Sequence, residues 1–85
     1  MASSRLLIKP AAAKELEAIP RKDRLRLVTR LKQLSSDPRP PGCEKLSGHD
    51  LYRIRQGNYR ILYSIEDDAL MILVIRIGHR REVFR

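Results

Sequence analysis

The apolar residues of this 85-residue chain keep a helical spacing through its first half and alternate with polar ones through its second. Arg5 to Ile8 is a short apolar segment that reads as a first strand, closed by Pro10. Proline is also acceptable at the first position of a helix, and Ala11 to Ile19 is strongly helix-forming sequence, with Ala12, Leu16 and Ile19 on one stripe. Pro20 ends that helix and can open a second at its first turn. From Arg21 to Ser35, Leu27, Leu31 and Leu34 share a face with Val28 nearby, while Arg24, Arg26, Arg30 and Lys32 line the rest. This is the pattern of an amphipathic helix packed on a sheet. The breaker Asp37-Pro38-Arg39-Pro40-Pro41-Gly42 then separates a helical half from a strand half, and is too short for a domain linker.

Three strands follow, Leu51–Arg55, Asn58–Ile65 and Leu70–Ile77, joined by Gln56-Gly57 and Glu66-Asp67-Asp68. Connections this short predict an antiparallel meander. The expected fold is a single α+β domain over residues 1–85: an N-terminal strand, a helical hairpin, then a meander of three strands packed on the helices. Side-chain parity puts Arg53 and Arg55 on one face of their strand, with Tyr52 and Ile54 on the other. On the next strand Tyr59, Ile61, Tyr63 and Ile65 oppose Arg60, Leu62 and Ser64. Taking Gln56-Gly57 as a two-residue turn sets Arg55 opposite Asn58 and Arg53 directly across from Arg60. Like charges so placed are destabilising, which suggests that the arginine face is kept for an anion.

Composition strengthens that reading. The last 35 residues hold seven arginines (Arg53, Arg55, Arg60, Arg76, Arg80, Arg81 and Arg85) and no lysine. Arginine binds planar or phosphorylated anions by bidentate hydrogen bonds, where lysine is a poorer substitute. The formal charge is +8, and its excess lies on predicted strands, favouring nucleic acid or an acidic protein as partner. Cys43 is the lone cysteine, which rules out an internal disulfide and argues against structural zinc. It reads as an inert loop residue, and a reducing cytoplasm fits best. No run approaches the roughly 20 apolar residues of a membrane span. Tyr52, Tyr59 and Tyr63 are expected in the core, Glu66-Asp67-Asp68 in a solvated turn, and Arg76 in an ion pair or at a strand edge. Arg5, Arg21 to Arg30 and Arg39 are further candidates for RNA contact. His49 has no assigned role.

The segment Leu46-Ser47-Gly48-His49-Asp50-Leu51-Tyr52-Arg53-Ile54-Arg55, then Gly57-Asn58-Tyr59-Arg60-Ile61-Leu62-Tyr63, together with the ending Gly78-His79-Arg80-Arg81-Glu82-Val83-Phe84-Arg85, resembles the RelE/ParE superfamily of bacterial and archaeal toxins. The likeness covers nearly the whole chain. It implies a small α+β fold whose first strand lies at the edge of the meander. For the RelE branch it implies an endoribonuclease that needs no metal or other cofactor. Such an enzyme cleaves messenger RNA in the ribosomal A site through attack by the ribose 2′-hydroxyl, leaving a 2′,3′-cyclic phosphate. It also implies a cognate antitoxin that silences the toxin.

Carried over by position, the resemblance makes Arg53 and Arg55 counterparts of two basic strand residues that are lysines in the best-known ribosome-dependent members. Arg60 matches the arginine that contacts the scissile phosphate, and Arg80 a basic residue near the leaving 5′-oxygen. Phe84 holds a base-stacking position that is often tyrosine, and Arg81 joins it as a substrate contact. Arginine cannot act as a general base, so His79 is the expected proton-transfer group. Two other readings stay open: a gyrase inhibitor of the ParE branch, and a non-catalytic RNA-binding toxin.

Overall fold

A computed structural model of the chain describes residues 4–46 and 50–79. Strand β1 (Arg5–Ile8) gives way to helix α1 (Pro10–Glu17), with Pro10 in the first turn as expected. The regular helix stops two residues before Ile19. Ala18 and Ile19 still donate to the carbonyls of Lys14 and Leu16, both at 3.2 Å, before Pro20 ends the turn. Pro20 then caps α2 (Arg21–Ser36), its carbonyl accepting from the Arg24 N–H at 2.9 Å. No described helix is long and apolar enough to cross a membrane.

Beyond the breaker come β2 (Glu44–Lys45), β3 (Leu51–Gln56), β4 (Tyr59–Glu66) and β5 (Met71–His79). They form one sheet in the order β1-β5-β4-β3-β2, with β1 parallel to β5 at one edge and the other pairs antiparallel. Strand β2 was not expected, since two residues carry no readable period.

The β3–β4 register differs from the expected one. Gln56 pairs with Tyr59, so the two-residue loop is Gly57-Asn58, and Arg60 lies across from Arg55 while Arg53 lies across from Leu62. The hairpin-compatible turns need a positive φ at their first central residue. Gly57 supplies it at φ +60°, whereas the expected turn would have forced Gln56 into that region. The correction is a shift of two residues, so every side chain keeps its face.

One face of the sheet carries the core. Ala12, Ile19, Leu27, Leu31 and Leu34 from the helices meet Ile54, Ile61, Tyr63, Ile72, Val74 and Ile77 from the strands, all buried. Tyr63 is fully buried, with Tyr52 and Tyr59 packed at the margin. The Tyr63 hydroxyl donates to the Pro38 carbonyl at 2.8 Å, tying the breaker to the core. Burial, then the neighbouring Cys43, pushes that phenol well above its ordinary pKa, so it stays protonated. Arg39, a candidate for RNA contact in the sequence, is engaged within the fold. It makes two hydrogen bonds to Asp67, at 2.9 and 3.1 Å, and lies 5.2 Å over the Tyr52 ring. Those bonds hold the Asp67 carboxyl below its usual range.

Candidate nucleic-acid interface

The sheet face turned away from the helices collects the arginines. Partners across a ladder share a face, so the register aligns two rows on it. The first is Glu44–Arg53–Leu62–Arg76, running across β2, β3, β4 and β5. The second is Arg55–Arg60–Gly78. Both rows stand at the Gly57 end of the hairpin. Three of the expected site residues, Arg53, Arg55 and Arg60, are thereby brought together.

Their settings differ. Arg55 is exposed. The Arg53 side chain is only 17% exposed and donates from Nη2 to Glu44 Oε2 at 3.1 Å. The Nε atoms of Arg53 and Arg60 are shielded from solvent. Partial burial lowers the local dielectric and strengthens the pull of a guanidinium on an anion. Glu44 went unnoticed in the sequence, yet it brings a carboxylate against this cluster.

His79 is not brought to the arginines. It pairs with Tyr59, which pairs in turn with Gln56, and these lie on the helix-covered face. Its ring meets Tyr59 edge-on, with centroids 5.7 Å apart. Both residues border a cleft of about 350 Å³ that is also lined by Glu15, Ala18, Ile19 and Ile77. The cause is an irregularity in β5. Tyr63 pairs with Val74 but Leu62 with Arg76, which leaves Ile75 as an extra residue. A bulge of this kind re-aims the side chains beyond it: Ile72 and Val74 point into the core before it, Ile77 and His79 after it. The same step carries Arg76 to the arginine face, and nothing in the local sequence announces it.

Arg76 is in an ion pair, as one of its two expected explanations required. Its guanidinium contacts Glu15 at 2.9 to 3.1 Å, and Glu15 also accepts the Ile77 N–H at 3.1 Å. Burial pushes the Glu15 carboxyl up, but the hydrogen bonds from Arg76 and Ile77 and the charge of Arg76 outweigh it and leave the pKa lowered. Arg80, Arg81, Phe84 and His49 lie outside the described residues.

Residues 6–84 match the model of a family described as the ParE toxin of the type II toxin–antitoxin system, parDE. A curated relative, Toxin RelG of Mycobacterium tuberculosis, is 35% identical over 34 residues, a segment spanning 40% of this chain and 39% of RelG. Among solved structures, a chain of the RelBE2 toxin–antitoxin complex of M. tuberculosis superposes with a TM-score of 0.84 at 24% identity, covering 96% of this chain and 97% of that one. A chain of the intact Escherichia coli RelBE toxin–antitoxin complex gives 0.81 at 27% identity, covering 98% and 100%.

Proposed function

Because the chain belongs to the ParE toxin family of type II toxin–antitoxin systems, we propose that it is a toxin acting as a ribosome-dependent mRNA endonuclease, silenced by a cognate antitoxin. The observation that carries this reading is the convergence of Arg53, Arg55 and Arg60 on one face of the sheet. An inhibitor that works by protein contact alone has no need of three clustered guanidiniums.

In the proposed reaction the 2′-oxygen attacks the adjacent phosphorus, the 5′-oxygen leaves, and a 2′,3′-cyclic phosphate forms. Charge builds on the non-bridging oxygens, and Arg60 with Arg53 or Arg55 stabilises it, usually the dominant contribution to such catalysis. The ribosome supplies the in-line orientation of the codon. Arg80 neutralises the leaving oxygen, and Arg81 and Phe84 hold the flanking nucleotide. These last three roles rest on the resemblance. With His79 turned to the other face, we assign the 2′-hydroxyl proton to Glu44, a carboxylate already within hydrogen-bonding distance of Arg53.

Purified ribosomes programmed with a defined message test this directly. Cleavage in the A site is expected from the wild type, and Glu44→Gln should slow it by about 10²-fold or more, the usual scale of general acid–base effects. The match to the ParE family keeps a second reading in view: gyrase inhibition, which the resemblance implies for the ParE branch and which predicts intact message in that assay and arrested supercoiling in a parallel one.

A further inference from the structure

Arg76 reaches the arginine face through the β5 bulge, and its guanidinium then leaves that face again. Its backbone pairs with Leu62, whose other neighbour is Arg53, and it sits two positions before Gly78, the partner of Arg60. The spacing of neighbouring strands puts the Arg76 backbone about 10 Å from that of Arg53, with β4 between them. Instead of standing over the sheet, the guanidinium turns across the edge of β5 to Glu15. Among the described residues no strand covers that edge, because β1 pairs with β5 only as far as Val74.

Glu15 has a structural task here, accepting the Ile77 N–H at that open edge. A neutral glutamine could do the same, since its amide oxygen is an acceptor. The task therefore explains a polar residue at position 15 without explaining an arginine at 76. The pair is also within reach of an incoming strand, with side chains 43% and 26% exposed for Arg76 and Glu15. Glu15 meets Arg76 with both carboxylate oxygens, the fork geometry in which arginine also takes a phosphate.

We propose that Arg76 is a fourth phosphate-binding residue of the RNA face, and that it exchanges Glu15 for an RNA phosphate when a strand lies across Arg53 and Arg60. Glu15 is its resident counter-ion, keeping the side chain oriented and occupied until RNA arrives. The inference rests on the RNA reading above and extends the interface by one strand, from β3 and β4 onto β5.

The test is the salt dependence of binding to a short single-stranded RNA whose 2′-O-methyl groups prevent cleavage. Arg76→Gln should weaken binding and reduce the slope of log affinity against log salt by about 0.7, the value of one single-strand phosphate contact. Arg76→Lys should keep the slope. Glu15→Gln should bind about two- to fivefold more tightly, because a competing carboxylate has been removed. The double variant Glu15→Gln/Arg76→Gln should match Arg76→Gln. An unchanged slope in Arg76→Gln, or a gain from Glu15→Gln that survives in the double variant, overturns the proposal and leaves the pair a structural clasp. Arg60→Gln separates this failure from that of the RNA reading itself. If it lowers the slope while Arg76→Gln does not, only the fourth contact is lost; if neither does, the RNA face is lost with it.

Discussion

Strand β4 has two neighbours that treat its side chains differently. Toward β3 the ladder is regular from Leu51↔Ser64 to Gln56↔Tyr59, and faces alternate without interruption. Toward β5 one extra residue, Ile75, lies between the Val74 and Arg76 pairs, and alternation restarts. The first ladder gathers Arg53, Arg55 and Arg60 on one side. The second takes a histidine off that side and puts an arginine on it. A regular hairpin transmits a chemical pattern along the strand, while a bulge reassigns which residues belong to it. The two ladders therefore divide the candidate site into a part built by alternation and a part built by exception.

The sharpest way to test that division is to compare one residue from each ladder. Arg60→Ala should lower ribosome-dependent cleavage by about 10²- to 10³-fold, the usual loss on removing one donor from a charge-stabilising site, with the fold intact by circular dichroism. His79→Ala removes a ring packed against Tyr59 on the other face and should leave the cleavage rate within a small factor of wild type. A loss from His79→Ala on the scale of Arg60→Ala would mean that the ring reaches the substrate.

The turn and the bulge invite a second comparison, read in stability. Gly57 has φ +60° and nothing within 4 Å of the position a Cβ would take, so Gly57→Ala meets backbone strain alone. The cost should be about 1–2 kcal/mol, or roughly 4–8 °C in Tm per kcal/mol for a chain this size. Deleting Ile75 sounds more drastic and should be tolerated. Val74 keeps Tyr63, Arg76 keeps Leu62, and Ile77 stays in the core, because the deletion removes only the residue that has no partner across the β4–β5 ladder. Thermal unfolding of the deletion variant should stay cooperative, and collapse of the fold would show that the bulge is needed for the twist of the sheet.

This contrast also explains what could be read from the chain alone. Pro10 and Pro20 mark helix starts through local geometry, and the stripe of Leu27, Leu31 and Leu34 marks a core face through periodicity. Both signals lie within a few residues of what they predict. The shared face of Arg53, Arg55 and Arg60 survived an error in register because a two-residue shift preserves parity. The pairing itself did not survive, since it turns on which residue carries the positive φ of the loop. Strand β2 was too short to show a period. The bulge at Ile75 has no compositional mark in a uniformly apolar run, so the faces of Arg76 and His79 were illegible. Long-range pairs leave no local trace either: Glu15 and Arg76 stand 61 residues apart, and Arg39 and Asp67 stand 28 apart.

Those two pairs supply the smallest expected effect and the last comparison, between the bulged half of β5 and the β4–β5 turn. The carboxyls of Glu15 and Asp67 both have pKa values lowered in the folded chain. The unfolded chain therefore binds their protons more tightly, so each pair stabilises the fold above the ordinary carboxylate range. That contribution fades as pH falls through the lowered values. Glu15→Gln and Asp67→Asn should each reduce Tm slightly at neutral pH, and both differences from wild type should vanish in acid. Glu15 is the more enclosed, its side chain 26% exposed against 66% for Asp67, so added salt should shrink the Asp67→Asn difference first. Equal salt sensitivity of the two variants would place the Glu15 pair in the same solvent-screened setting as the turn. The edge of β5 would then be as open to water, and to an incoming phosphate, as the loop at the far end of the sheet.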